Sequence, residues 1–328
     1  MSNHKFNDYW AVTMFSFTNE ILDGRTSALA LIDQVLSRGI TKRIEVDGPM
    51  HFRNFPNPPA SEIADLKALL AKHGAGISLI GGAADRAISA SRLVDSATVV
   101  TSVKQQLALA SDLGAFGLRL MVGGLSLVEL QEVAPVAEAL NVKILFELHG
   151  VMSPDSKVAR DCLQLVKDVN STHVRLMFDS SLFMNEMPLV LKTALGKVGV
   201  TNVEEVADKW AISTLDEFRG WLMPQVETYP PKFRSMLPTL FSRMGHAKPR
   251  DYSDYIEYIE SVHLKYWDIH EDETPLHELL KYLYQHNYRG YLTSEWGGHE
   301  WDSLKDNSAF TQTEAHKKLV ERSFNLAH

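Results

Sequence analysis

The sequence contains one cysteine, Cys162, which excludes a disulfide framework and a cysteine-based metal cluster. Cys162 falls in a helical pattern and is expected to be a small buried or half-buried filler. No stretch approaches the ~18 consecutive apolar residues of a membrane helix. The opening MSNHKFNDYW has no apolar run, so no secretory signal is expected and the protein reads as cytoplasmic. Lys and Arg form no cluster, and the net charge of −8 argues against a nucleic-acid partner, whose phosphates reward a basic surface. Low-complexity tracts and short-period repeats are missing as well. With 45% apolar and 23% charged residues the composition is that of an ordinary globular protein, and small-molecule chemistry is the default.

What the sequence does have is an alternation of short apolar runs with longer helical patterns, as in a parallel sheet wrapped by helices. Strands are predicted to end near Phe15, Asp47, Gly81, Met121, Glu147, Asp179, Lys265 and Glu295. Helical segments are predicted over 26–38, 61–73, 103–113, 125–140, 156–169, 276–285 and 312–324. Eight strands, each with a helical region after it, is the count of a single α/β domain, a (β/α)₈ barrel over residues 1–328. Glu147 to Asp179 spans 32 residues and His263 to Glu295 also 32, whereas Asp179 to His263 spans 84. The unit after the sixth strand therefore carries an insertion of about 50 residues over the usual repeat, roughly residues 182–254. It holds Trp210, Phe218, Trp221, Tyr229, Phe233 and Phe241, and the Pro-Pro pair at 230–231 keeps it from being one long helix. It starts at the end of the barrel where active sites lie, so it reads either as a lid or interface or as a small subdomain with its own core.

Successive side chains of a strand point to opposite faces, which sorts the polar groups. In VKILFELH, Val142, Ile144, Phe146 and Leu148 face the helices, while Lys143, Leu145, Glu147 and His149 face the barrel axis. In HVRLMFDS, Val174, Leu176 and Phe178 face outward and Arg175, Met177 and Asp179 inward. His263 and Lys265 point inward between Val262 and Leu264, and Tyr291, Thr293 and Glu295 share the inner face of the eighth strand. The second strand directs Arg43, Glu45 and Asp47 inward. Buried carboxylates in such number need a compensating cation or dense ion pairing. Arg43, Arg119, Arg175, Lys143 and Lys265 could supply the pairing, but that leaves a histidine among three carboxylates on four consecutive strands unexplained. Glu147, Asp179, His263 and Glu295 form a mostly oxygen-donor set that suits Mn²⁺ first, and also Mg²⁺ or Co²⁺, better than a structural zinc. Such an ion would act as a Lewis acid on a carbonyl.

FELHG at 146–150, MFDSS at 177–181, VHLKYWD at 262–268 and TSEWGG at 293–298 resemble the four strand-end motifs of the xylose-isomerase-like barrel superfamily of sugar isomerases, epimerases and dehydratases. The resemblance covers nearly the whole chain outside the insertion and implies one catalytic metal on those four residues. Its endonuclease IV branch, with three zinc ions, needs further ligands from earlier strands. Here the third strand ends in LIGG and the fourth in LMVGG, which offer none.

Two sugar chemistries then compete. A ketose isomerase or epimerase would use Glu295 and a distal carboxylate such as Glu45 as acid and base, although Glu45 could equally be paired with Arg43 or Arg119. The other reading starts from His149, two residues beyond Glu147 on the same inward face, where an imidazole is a natural general base. With the length and the large insertion, the ELHG motif is similar to the larger (α) subunit of bacterial C-glycoside deglycosidases. That resemblance implies cleavage of the carbon–carbon bond between a 3-oxo sugar and an aromatic aglycone. It also implies a small β-rich second subunit as partner. The simpler role for His149 is a hydrogen bond to a ligand carboxylate. Lys265, Asp268 and His299 are candidates for substrate binding, with Trp301 beside His299, though ion pairing and loop packing account for them as well. A sugar-binding protein with a degraded site is also conceivable, but all four ligands are present.

Overall fold

The computed structural model describes residues 5–24, 26–89, 92–269, 273–300 and 308–327. Eight parallel strands close into a barrel: β1 (Trp10–Thr13), β2 (Arg43–Asp47), β3 (Gly76–Gly81), β4 (Gly117–Met121), β5 (Lys143–Leu148), β6 (Val174–Asp179), β7 (Ile259–Tyr266) and β8 (Tyr291–Trp296). They follow one another in sequence order around the barrel, with β8 pairing β1. The predicted strand ends are met within one or two residues. The first strand stops at Thr13 rather than Phe15, because the chain turns into a 3₁₀ helix over Met14–Phe17.

Strand parity is confirmed by the packing. Ile44, Val46, Ile144, Phe146, Leu148, Val174, Leu176, Phe178, Val262 and Leu264 belong to the main core between barrel and helices. Leu79, Leu145 and Met177 form a separate small cluster inside the barrel, with Phe116 against it. Glu147, Asp179 and Glu295, late in their strands, therefore sit above an apolar plug, whereas Lys143 and Arg175 lie near the amino ends of theirs. Cys162 is buried, as a filler should be.

Local signals fix the helices. Ser27, Asp95, Ser126 and Ser156 each accept a hydrogen bond from the backbone N–H three residues on, which caps the helices that start after them. Gly74, Asn141 and Asn170 end their helices in the left-handed conformation and turn the chain into β3, β5 and β6. The helix predicted over 103–113 is longer, Ser96–Asp112. Its first turns are the β-branched run ATVVT, poor helix formers that the Asp95 cap and burial of Val99 and Val100 override.

Between β6 and β7 lie four α-helices, Leu189–Lys197, Val203–Ile212, Leu215–Leu222 and Pro231–Arg243, with short 3₁₀ helices between and around them. Trp210, Phe218, Tyr229 and Phe233 are buried in a core of this segment, distinct from the barrel's, with Trp221 and Phe241 packed against it. Trp210 meets Phe218 edge-on at 5.2 Å. The segment returns to the barrel where Gly245 N–H donates to Ser181 O (2.7 Å) and Ala247 N–H to Leu182 O (3.0 Å).

Candidate metal centre

Glu147 on β5, Asp179 on β6, His263 on β7 and Glu295 on β8 each offer one ligand atom, and these atoms lie within 4.8 Å of one another. All four side chains are buried. His263 Nδ1 lies 2.8 Å from Glu147 Oε1 and 2.6 Å from Glu295 Oε2. Nonetheless Nδ1 and Glu295 Oε2 are not aligned for a hydrogen bond. Buried polar atoms left without partners cost stability. A divalent cation would satisfy them, and the oxygen-rich donor set fits one.

The surrounding groups orient this set. The second imidazole nitrogen of His263, Nε2, hydrogen-bonds Glu45 Oε2 at 2.6 Å. That leaves Nδ1 for the cluster, the arrangement by which a carboxylate fixes the ring of a metal-ligating histidine. The other oxygen of Glu45 accepts from Arg119 Nε (2.7 Å), and Arg119 Nη1 donates to Glu147 Oε2 (2.9 Å). Lys265 Nζ donates to Glu295 Oε1 (2.7 Å). Ser181 N–H donates to Asp179 Oδ1 (2.7 Å), and Gly150 N–H donates to Ser181 Oγ (2.9 Å), which ties the ends of β5 and β6 together.

Of the five cations that could neutralise the carboxylates by themselves, only Arg119 and Lys265 reach them. Lys143 pairs with Glu260 (2.6 Å) and Arg175 lies 3.8 Å from it, both away from the cluster, and Arg43 is exposed. Burial and the Glu295 charge push the Asp179 carboxyl up to about 7. Burial also disfavours ionised Glu147, but the charges of Arg119 and His263 outweigh it and hold that carboxyl well below the usual range. For His263, burial is outweighed in the other direction by the charges of Glu45, Glu295 and Glu147, which favour the protonated ring. This uneven titration is that of a carboxylate surplus.

Glu147, Asp179 and Glu295 of the cluster open into a cleft of about 180 Å³ lined also by Phe15, Asp47, Arg119, Met121, His149, Ser181, Arg243 and Lys265. Thus His149 shares the cleft with three of the four candidate ligand residues, Glu147, Asp179 and Glu295, and its ring makes no hydrogen bond among the described residues. Burial lowers its pKa, so the ring is neutral near pH 7. Glu45 is fully buried behind His263 and is not in the cleft wall. Asp268 borders a different, smaller hollow of about 50 Å³ with Phe183, Tyr266 and Leu276. The His299 ring packs edge-on against the cleft residue Phe15 at 5.1 Å, while Trp301 lies outside the described residues. None of the six aromatic residues picked out between β6 and β7 lines the cleft.

Ser181, Phe15 and Arg243 are among the cleft residues that escaped the sequence reading. Ser181 follows Asp179 in an Asp-x-Ser turn, a pattern that signals such an N–H to carboxylate bond. Phe15 stands beyond the end of β1, where parity no longer applies. Arg243 ends the last helix of the segment between β6 and β7 and arrives by tertiary packing, for which the sequence carries no local signal.

A family comparison matches the chain from before β2 to beyond β6. Residues 41–219 match the family described as xylose isomerase-like TIM barrel. The chain belongs to that family. It is 23% identical to the 3'-dehydrocarminate deglycosidase alpha subunit of a Microbacterium species, covering 95% of this chain and 94% of that one. It is 21% identical to the C-glycoside deglycosidase alpha subunit of Arthrobacter globiformis, covering 96% and 92%. Among solved structures, an L-ribulose 3-epimerase superposes with a TM-score of 0.59 at 13% identity, over 97% of this chain and 95% of the other, which reflects the shared fold.

Proposed function

We propose that this protein is the catalytic subunit of a metal-dependent C-glycoside deglycosidase, cleaving the bond between carbon 1 of a 3-oxo sugar and an aromatic, flavonoid-like aglycone. The observation that carries this reading is His149, a neutral and unpartnered imidazole in the wall of the cleft into which Glu147, Asp179 and Glu295 of the four-residue cluster open. The near full-length similarity to deglycosidase alpha subunits supports the choice among sugar chemistries.

Glu147, Asp179, His263 and Glu295 would hold the ion, Mn²⁺ by first expectation. When bound, a divalent ion supplies Lewis acidity that draws electron density from a sugar carbonyl. His149 takes the proton from sugar carbon 2, which the neighbouring 3-oxo group acidifies. The electron pair left on carbon 2 forms a double bond to carbon 1 as the bond to the aglycone breaks, and the aglycone carbon takes up a proton. Glu45 holds the His263 ring, and Lys265 and Arg119 hold Glu295 and Glu147 in place. The closed part of the cleft is smaller than the ~300–1,000 Å³ of sites for drug-sized ligands, so it takes the sugar ring and the aglycone projects toward the mouth. There His299, against Phe15, would border the aglycone. Asp268 would act by shaping the loop after β7. Residues 182–254 act as an inserted subdomain covering the mouth, beside a small second subunit.

A second reading, ketose isomerase or epimerase, is favoured by one feature: Asp47 places another carboxylate in the cleft wall, and burial raises its pKa toward that of a usable base. The test is aglycone release from a 3-oxo-C-glucosyl flavonoid by the chain co-purified with its partner subunit, with added Mn²⁺. Chelator-sensitive release supports deglycosylation. Epimerisation of a ketose without release replaces it by the second reading.

A further inference from the structure

The wall of the cleft carries three permanent cations at increasing depth of exposure: the side chain of Lys265 is 4% exposed, that of Arg119 12% and that of Arg243 38%. The two inner ones are committed to cluster carboxylates by the hydrogen bonds already described. Arg243 is not. Among the described residues its guanidinium donates no hydrogen bond, and its one ionic neighbour, Glu300 Oε1, lies 3.3 Å from Nη2 without hydrogen-bond alignment. A guanidinium has five donors in a rigid fork, so most of its capacity faces the mouth unused.

The position of Arg243 is set by backbone contact with the turn that carries His149. Gly150 has φ +57°, and a Cβ built there would sit 2.0 Å from Ser242 O. A Cβ on Gly245 would sit 2.3 Å from Gly150 O and 2.9 Å from Leu182 O. Two glycines thus allow the end of the Pro231–Arg243 helix to lie directly on the end of β5. Glu300 has support apart from Arg243, since it accepts from Trp267 Nε1 (3.4 Å) and lies 3.9 Å from Lys265 Nζ. A ligand can therefore draw on Arg243 without stranding a buried carboxylate.

We infer that Arg243 recognises the part of the substrate farthest from the metal cluster and selects there for an acidic oxygen, a phenolate or a carboxylate. The fork geometry and fixed charge favour an anionic oxygen over a neutral hydroxyl. This inference rests on the deglycosidase reading only in assigning that part of the substrate to the aglycone.

The test uses the full chain with its partner subunit, loaded with Mn²⁺. Calorimetry measures binding of a free polyphenol with one acidic hydroxyl and of its O-methyl ether, above the pKa of that hydroxyl. Wild type is expected to prefer the phenolate, and Arg243→Gln to lose about 10- to 100-fold in affinity for it while binding the ether unchanged. Arg243→Lys, which keeps the charge but not the fork, should fall between, and Mn²⁺ affinity should be the same in all three. Equal binding of phenolate and ether by wild type, no binding of either, or an equal loss of both in Arg243→Gln would overturn the inference. Aglycone release by the wild type, measured in parallel, reports on the deglycosidase reading separately.

Discussion

Glu45→Gln removes the charge behind the metal centre while keeping the shape of the side chain. Both Glu45 oxygens are engaged, one with His263 Nε2 at 2.6 Å and one with Arg119 Nε at 2.7 Å, and the residue is 0% exposed. A glutamine has one acceptor and one donor end, so either Arg119 or His263 meets an N–H where it had an oxygen. Loss of a carboxylate behind a metal-ligating histidine typically costs about 10- to 100-fold in metal affinity. With Mn²⁺ at a hundred times the wild-type Kd, the ion stabilises wild type by about 2.7 kcal/mol and a variant bound 100-fold more weakly by only about 0.4 kcal/mol. Calorimetry gives the affinities, and thermal unfolding with and without Mn²⁺ gives the two stabilisations. Wild-type affinity in Glu45→Gln would refute the role assigned to Glu45 and with it the account of how His263 is held.

Other consequences concern the pH response and the supports of the site. Burial opposes ionisation of Glu129, but hydrogen bonds from Ser96 and Ser126 and the charge of Arg86 hold its carboxyl at about 2, against an ordinary 4.5. Its contribution is therefore complete above about pH 4.5 and fades as the pH falls toward 2, so Glu129→Gln should cost about 3 kcal/mol at pH 7 and progressively less in acid, read from urea midpoints. His263 is protonated without metal because three carboxylates surround it. An ion must displace that proton, so Mn²⁺ affinity should fall with falling pH and calorimetry in buffers of differing ionisation enthalpy should register proton release. Phe233→Ala opens the buried core of the segment between β6 and β7 and should cost about 3–5 kcal/mol. If that core is a subdomain of its own, limited proteolysis will cut within residues 182–254 while Mn²⁺ affinity persists. Gly245→Ala drives a Cβ into backbone oxygens and should lower activity through Arg243 without loss of the ion, seen as reduced aglycone release at unchanged Mn²⁺ stoichiometry.

The polar floor of the barrel was legible in the sequence because strand parity is local. Glu147, Asp179, His263 and Glu295 each follow from the alternation within their own strand, and parallel register then brings them together. Glu45 was placed on the right face by the same rule. Its carboxylate lies behind His263 rather than in the cleft, because depth along the barrel axis depends on stagger between strands that parity does not contain. Asp268 borders another hollow for a related reason: β7 ends at Tyr266, and past that point the alternation no longer says where a side chain goes. The aromatic residues after β6 left a lid or interface and a subdomain core as alternatives, because composition does not distinguish them, and the side chains form a core. Arg243, the one described residue of 182–254 in the cleft wall, had no local signal at all.

The proposed role of His149 is removal of the proton at sugar carbon 2 beside an intact metal centre. The direct measurement is deuterium incorporation at that carbon of a 3-oxo-C-glycoside in heavy water, by wild type and by His149→Ala, with Mn²⁺ content determined on the same samples. Equal metal content is expected, with exchange and aglycone release both lost in the variant. Exchange and release persisting in His149→Ala at wild-type rates would contradict that role.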